Sequence, residues 1–338
     1  MTARIVTLVD VARAAGVSRS TASDALQGSG RVAEATRTRV RATADALGYR
    51  PNSAARRLRR AGTGAIGLYL PRTATRLDYY MNLAFGAVAR AQDDGLDLVL
   101  LGGSAGTHGP LATRVDGLLA IDPDTSDPTV PELLDAGVPV VTGERYPGVS
   151  PAPTGAVVCD NAASLSAILD HLYGRGARRP ALLAPYGDSA WAQALRASAA
   201  EWSAATGVPV AVRTVPFAAT PAEAAEATAD LLTGDAAIDA MVCGPDGAAP
   251  GVLHGARAVG RTPGADLLVA SCVDGTAMRA GTPPITAVDL RPADYGRACT
   301  ELLCDILADR TPPDTVRPHA WVLRTRASTK GAPGARSS

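Results

Sequence analysis

Lysine is nearly missing from this chain of 338 residues: every basic side chain except Lys330 is an arginine. With alanine and proline abundant, that reads as a bias toward GC-rich codons and carries no functional message. Aromatic residues make up only 4%. Cysteine is sparse and never patterned as CxxC; the five lie at 159, 243, 272, 299 and 304. Cys299 and Cys304 sit on one helical stretch but about 140° apart around its axis. The four histidines (108, 171, 254, 319) are scattered. No metal site and no disulfide framework is expected, and the thiols read as buried, unpaired side chains. No apolar run approaches the roughly 18 residues of a membrane span. The N-terminus has no apolar stretch followed by a cleavage site. The expectation is a cytoplasmic protein with no membrane contact.

Length allows two or three domains and a sizeable core. The net charge is zero, but it is unevenly distributed. Residues 1–60 carry twelve arginines against four acids, a net of +8, which leaves −8 for the rest. A basic head on an acidic body suits a chain that meets a polyanion at one end. In TLVDVARAAGVSRSTASDAL (7–26), Thr7 and Asp10 fit a capping box. Val9, Val11, Ala12 and Ala15 then form an apolar stripe, and Gly16 ends the helix. Ser18 can cap a second helix to about Leu26 that turns Val17, Ala22 and Leu26 inward. Arg19, Ser20, Ser23 and Asp24 are left outward. After GSG (28–30), a third helix is expected from about Ala33 to Leu47, burying Val40, Ala44 and Leu47. Two short helices around a glycine turn with a third as buttress form a helix-turn-helix unit. An ordinary three-helix bundle has the same spacing; the +8 charge favours the nucleic-acid reading. In YRPNSAARRLRR (49–60), Pro51 disfavours continuation of the third helix and Asn52 can cap a short new one. The same residues also fit a basic linker.

These stretches, with RVAEATRTRVRATADALGYRPNSAARRL and the strand AIGLYLP, resemble the head and hinge of the lactose/galactose repressor family over residues 6–70. The resemblance implies a double-stranded DNA operator as partner. It places Arg19, Ser20 and Asp24 at base-reading positions and Ser18, Thr21, Ser23 and Asn52 at phosphate-contacting ones. Leu8 supplies a backbone contact. Ala55 and Leu58 match hinge-helix positions that enter the minor groove, where an apolar wedge unstacks a base step. One residue departs from the pattern: the family very often has arginine where this chain has Asp24. Aspartate can only accept, for example from a cytosine amino group. Asp24 therefore either reads a different base or pairs with Arg19 or a neighbouring arginine.

From Gly64 onward, near-continuous apolar strands alternate with helices, the texture of a parallel sheet covered on both faces. It occurs twice in tandem, which suggests two similar α/β lobes with a ligand cleft at the strand ends. This part resembles the core of the same family, which is like periplasmic sugar-binding proteins. The fold class expected is thus an all-α head and hinge helix joined to a two-lobed parallel α/β core. The expected division is a head at 1–50, hinge at 51–62, core at 63–327 and a disordered tail at 328–338. Lobe one takes about 64–160 plus 291–315, and lobe two about 161–290 plus 316–327. The family's pocket positions imply Glu144, Asp160, Asp246 and Asp274 as effector-binding acids, with Arg196 near the expected pocket arginine. Tyr69, Tyr79 and Trp191 are the aromatic candidates. Asp160 and Asp274 fit a helix cap or turn equally well. Several family motifs are broken, including Pro245-Asp246 for Asn-Asp and SCVD (271–274) for its glycine-led acidic turn.

GDSA (187–190) lacks a partner histidine and the full GxSxG, and GGSAG (102–106) lacks the dinucleotide pattern. Both read as turns, so no catalysis and no cofactor are expected. The expected function is that of a homodimeric repressor on a pseudo-palindromic operator, controlled by a sugar-like small molecule. An effector-independent regulator with a degenerate pocket, or one tuned by a protein partner, is the alternative. A transport-type binding protein would leave the basic head unexplained.

Overall fold

The computed structural model describes residues 6–27, 32–49, 62–71, 77–102 and 110–331. The chain divides into two units, Met1–Gly64 and Ala65–Ser338.

In the first unit, helices α1 (Leu8–Ala14), α2 (Arg19–Gln27) and α3 (Glu34–Ala46) follow one another. The Thr7 N–H donates to Asp10 Oδ2 at 2.9 Å, and Thr7 Oγ1 accepts from Asp10 N, closing the capping box. Gly16 takes φ +64°, the left-handed turn that releases the chain toward α2. Ser18 Oγ accepts from Thr21 N at 3.0 Å and caps α2. The core is Val11, Ala12, Ala15, Ala22, Ala25, Val40 and Ala44. Three expectations fail here. Val9 is exposed, because at 100° per residue it falls outside the arc shared by Leu8, Val11, Ala12 and Ala15. Leu47 is exposed, lying at the C-cap of α3 beyond its last packed turn. Ser23 is buried: α2 packs against both neighbouring helices, and its inner arc is wider than one stripe.

The second unit holds two sheets of six strands. The first lobe contributes β1 (Ala65–Tyr69), α4 (Asp78–Asp93), β2 (Asp97–Leu101), β3 (Gly117–Ile121), α5 (Thr129–Leu134), β4 (Val140–Gly143) and β5 (Gly155–Cys159). The second lobe contributes α6 (Asn161–Gly174), β6 (Pro180–Pro185), α7 (Ala190–Thr206), β7 (Ala211–Val215), α8 (Pro221–Gly234), β8 (Ala240–Cys243), α9 (Ala249–Ala258), β9 (Leu268–Ser271), α10 (Thr276–Ala280) and β10 (Thr286–Asp289). The chain then returns to lobe one as α11 (Pro292–Leu307) and β11 (Thr315–His319), and ends in lobe two with β12 (Val322–Arg324).

The sheets run β11-β5-β4-β3-β1-β2 and β12-β10-β9-β8-β6-β7. The second order repeats the first with each strand replaced by its counterpart in the other lobe. All pairings are parallel except β10 with β12. Inner strands such as β1 and β3 are buried at every position, whereas the edge strands β2 and β7 are largely open. This is the burial expected of parallel sheets with helices on both faces. Helices α4 and α11 touch through glycines: a Cβ on Gly86 would meet Ala293 O at 1.9 Å, and one on Gly296 would meet Leu83 O at 2.0 Å.

The structure moves two expected boundaries. Lobe one keeps the chain through His319 rather than 315, because β11 pairs with β5 along its whole length. Residues 328–331 do not belong to a loose tail. Ala327–Thr329 form a 3-10 turn, and Ser328 is fully buried, accepting from Thr286 N (2.8 Å) and donating to Val269 O (2.6 Å).

Candidate functional site

The head presents one candidate surface at the start of α2. Ser18, Arg19 and Ser20 are exposed, and Thr21, Asp24 and Leu8 half-buried. Ser18 Oγ lies 2.8 Å from both Ser20 Oγ and Thr21 Oγ1, so three hydroxyls cluster at the helix N-terminus. That end carries the partial positive charge and free N–H groups that favour an anion such as phosphate. Asp24 forms no ion pair with Arg19, which removes one of its two bland roles. Ser23 is turned into the helix packing rather than outward. Asn52, Ala55 and Leu58, with the hinge at 51–61, lie outside the described residues.

The second candidate surface is a cavity between the lobes. Its lining comes from segments just beyond the C-terminal ends of strands in both sheets, where open parallel sheets bind ligands. Lobe one supplies Leu77, Tyr79, Tyr80, Asp122, Glu144 and Cys159; lobe two supplies Trp191, Phe217, Asp246 and Val273. Asn161 and Leu290 line it from the crossings between the lobes. Tyr79 and Tyr80 meet edge to face at 5.1 Å, and Trp191 and Phe217 do so at 5.5 Å. Each wall therefore carries one aromatic pair.

The carboxylates are held by neutral donors. Asp122 accepts from the Tyr80 hydroxyl at 2.6 Å, and Glu144 Oε1 accepts from Cys159 N at 3.1 Å. Asp246 Oδ2 accepts from Tyr79 N at 3.2 Å, a bond that spans the cleft. The Tyr295 hydroxyl lies 2.8 Å from Val157 O and 3.1 Å from Glu144 Oε1. Its proton is shared between the carbonyl and the carboxylate, both of which accept from it. Burial, reinforced by the Asp122 charge, pushes Glu144 up to about 7. Asp122 is half-buried, yet desolvation in the cleft pushes it to about 6. Asp246 is raised by burial as well. Asp122 and Glu144 also sit at φ +47° and +74°, backbone strain of the kind that collects at functional sites.

A separate contact bridges the lobes. Asp124 Oδ2 accepts from Asp188 N at 3.0 Å, while its other oxygen holds Ser126 N at 2.8 Å and Ser126 Oγ at 2.7 Å.

Of the eight residues expected around an effector, Tyr79, Glu144, Trp191 and Asp246 line the cavity. The other four do not. The Tyr69 hydroxyl donates to Asp127 at 2.5 Å and its ring packs in a satellite core. Asp160 caps α6 by accepting from Ala163 N at 2.9 Å. Arg196 donates to Pro185 O (2.7 Å) and Gly187 O (2.9 Å), bracing the loop ahead of α7. Asp274 is buried in an ion pair with Arg326 at 2.7 Å. Asp122 and Phe217 were missed. Asp122 directly follows a buried apolar strand and could have been found from that position alone. Phe217 follows the edge strand β7, whose residues give no such signal.

Five free thiols are buried. Among the described residues, no cluster of His, Cys, Asp and Glu has metal-holding geometry, and no helix is long and apolar enough to cross a membrane.

A capped helix-turn-helix head and a two-lobed core with a strand-end cavity define a ligand-binding regulator. Residues 7–52 match the family model of bacterial regulatory proteins, lacI family, and residues 169–329 match that of the periplasmic binding protein-like domain. The chain is 31% identical to the HTH-type transcriptional regulator CelR of Thermobifida fusca over 330 residues, covering 94% of this chain and 96% of that protein. A solved structure of a CelR–cellobiose complex superposes with a TM-score of 0.70 at 28% identity, covering 96% of this chain and 99% of that one. The lac repressor dimer bound to operator and the anti-inducer ONPF shares the fold, with a TM-score of 0.78 at 24% identity over 96% of this chain and 99% of that one. The chain belongs to the lacI family and is a DNA-binding transcriptional regulator.

Proposed function

We propose that the protein is a cytoplasmic, non-catalytic repressor. Two copies bind a pseudo-palindromic operator through their heads, and a small molecule in the interlobe cavity sets operator affinity. Two-fold protein symmetry calls for two half-sites on the DNA. Base reading falls to Arg19, Ser20 and Asp24. Ser18 and Thr21 take phosphate, Leu8 gives a backbone contact, and residues 51–62 with Asn52, Ala55 and Leu58 act as the hinge.

The observation that carries the control by ligand is the cavity itself. Carboxylates and aromatic rings from both lobes converge on one space, so a ligand touching both walls favours one interlobe angle over another. It can change DNA affinity only by binding the two states unequally. A pocket that had lost its ligand would not need to retain strained, buried carboxylates, which disfavours the effector-independent alternative.

Selection from a random duplex pool with the full chain at near-physiological salt tests the reading. The expected product is a palindromic motif. Asp24→Arg is expected to change the preferred base at one symmetric position of each half-site, and an unchanged motif would show that Asp24 reads nothing. Salt-sensitive binding without enrichment would refute sequence-specific recognition by this chain.

A further inference from the structure

We propose that Asp246 of lobe two is a positioning residue that caps helix α4 of lobe one across the cleft, so that the wall formed by Tyr79 and Tyr80 is fixed only when the lobes close. The role of that wall in binding rests on the reading of the cavity as the effector site.

Helix α4 begins at Asp78, and the N–H groups of a first helical turn have no acceptor within the helix. The residue before it is Leu77, whose side chain cannot accept a hydrogen bond, and no side-chain cap is made there. Helices α6 and α7 also reach the cavity with their first turns, through Asn161 and Trp191. Both are capped from their own flanks: Asp160 accepts from Ala163 N at 2.9 Å, and Ser189 from Ala192 N at 3.3 Å. For α4 the acceptor comes from the other lobe. Asp246 Oδ2 takes the Tyr79 N–H at 3.2 Å, from 167 positions further along the chain. Tyr79 is the second residue of the helix, a position whose N–H a capping side chain ordinarily serves. The carboxylate also meets the partial positive charge of the helix start.

Asp246 is seated for this contact. It stands just beyond β8 and is 7% exposed. Its neighbour Gly247 donates a backbone N–H to it, and a Cβ on Gly275 would come within 3.8 Å of its Oδ1. Lobe two therefore fixes the acceptor, lobe one carries the donor, and closure brings them together. The bond from Asp188 N to Asp124 spans the same gap.

The cap orders part of the cavity wall. Tyr79 and Tyr80 are the second and third residues of α4, and both line the cavity. Their rings meet edge to face at 5.1 Å, and the Tyr80 hydroxyl donates to Asp122 at 2.6 Å. Further along, α4 is clamped to α11 through Gly86 and Gly296, so the effect stays in the first turn. Helix ends fray where their N–H groups lack acceptors. An open cleft leaves this turn to water, and closure brings in the carboxylate that holds it. A ligand resting on these rings meets its finished surface in the closed state and selects that state by binding.

The test is hydrogen exchange of the full chain, resolved to single amides by mass-spectrometric fragmentation. The Tyr79 amide is expected to be protected, although its place in the helix gives it no intrahelical partner. Asp246→Ala should speed its exchange about tenfold. Asp246→Asn keeps a side-chain acceptor and should stay within about threefold of the wild type, since Asn and Asp cap equally well. Asp124→Ala, at a residue that bonds elsewhere, should also speed Tyr79 exchange, because it loosens closure. The amides of β8 (Ala240–Cys243) should be unchanged in all three variants, which separates loss of the cap from loss of the fold. Should Asp246→Ala disturb β8, the wild-type and Asp124→Ala rates still decide. A Tyr79 amide unprotected in the wild type, or equally slow in Asp246→Ala, would overturn the cap. Asn exchanging as fast as Ala would overturn it too, by showing that charge and not the hydrogen bond holds the turn. An unmoved rate in Asp124→Ala would overturn its dependence on closure. None of these rates needs a ligand or an operator, so the cap stands or falls separately from the effector reading.

Discussion

Replacing Glu144 by glutamine is expected to stabilise the ligand-free core, increasingly as pH rises from about 4.5 to 7 and fully above that. The carboxyl sits at about 7 instead of 4.5 because burial, then the Asp122 charge, disfavours its ionised form. The folded state therefore holds this proton more tightly than the unfolded chain does. The resulting stabilisation is complete below pH 4.5 and is lost as pH rises through 7, so that native Glu144 is a burden at pH 8. A shift of that size corresponds to about 3 kcal/mol. Glutamine removes the charge but keeps the geometry: its carbonyl oxygen can take the place of Oε1 and accept from both Cys159 N and the Tyr295 hydroxyl. At roughly 2 °C per kcal/mol for a domain this large, the variant should melt about 6 °C above the wild type at pH 8. At pH 5 the two should nearly coincide. Scanning calorimetry of the core transition at pH 5, 6, 7 and 8 measures the difference. A difference that does not change with pH, or a variant less stable at pH 8, would mean that Glu144 is not held as a neutral acid.

Two further outcomes concern other parts of the molecule. Thr7→Ala opens the capping box and should cost the head about 1 kcal/mol, read as a lower midpoint of helix loss with the core transition unmoved. Asp124→Ala removes the carboxylate that holds Asp188 N across the lobes; losing one charge-assisted bond should weaken ligand binding about tenfold, and unchanged affinity would show that the contact does not favour the bound state.

The doubling of the fold was legible because central parallel strands such as GLLAI and ALLAP have to be apolar throughout, and that is visible without any partner. The head was legible for a similar reason: Thr7, Asp10 and Gly16 act locally, and local chemistry is written in adjacent residues. The site was only half legible. Tyr79, Glu144, Trp191 and Asp246 line the cavity, but Asp160 and Arg196 satisfy backbone groups beside themselves, and Asp274 found Arg326 more than fifty residues away. A carboxylate that caps a helix and one that faces a cavity have the same letter. The difference lies in what the tertiary fold brings near. The return of residues 327–331 into lobe two was hidden for the same reason: Ser328 and Thr329 are polar residues buried by bonds to distant strands.

Three strands of chain run between the lobes, after Cys159, after Asp289 and after His319. They are not independent tethers. The His319 ring bonds to Leu290 O at 3.1 Å and lies against Tyr295, whose hydroxyl reaches Val157 O beside the first crossing. Three linked crossings behave as a flexure: they permit bending about one line and resist sliding and free rotation. Cys159, Asn161 and Leu290 belong to that flexure and also form part of the cavity wall. A molecule lodged there presses on the joint as well as on the jaws. Its size near those three residues, and not only its grip on either lobe, therefore sets the angle at which the joint comes to rest.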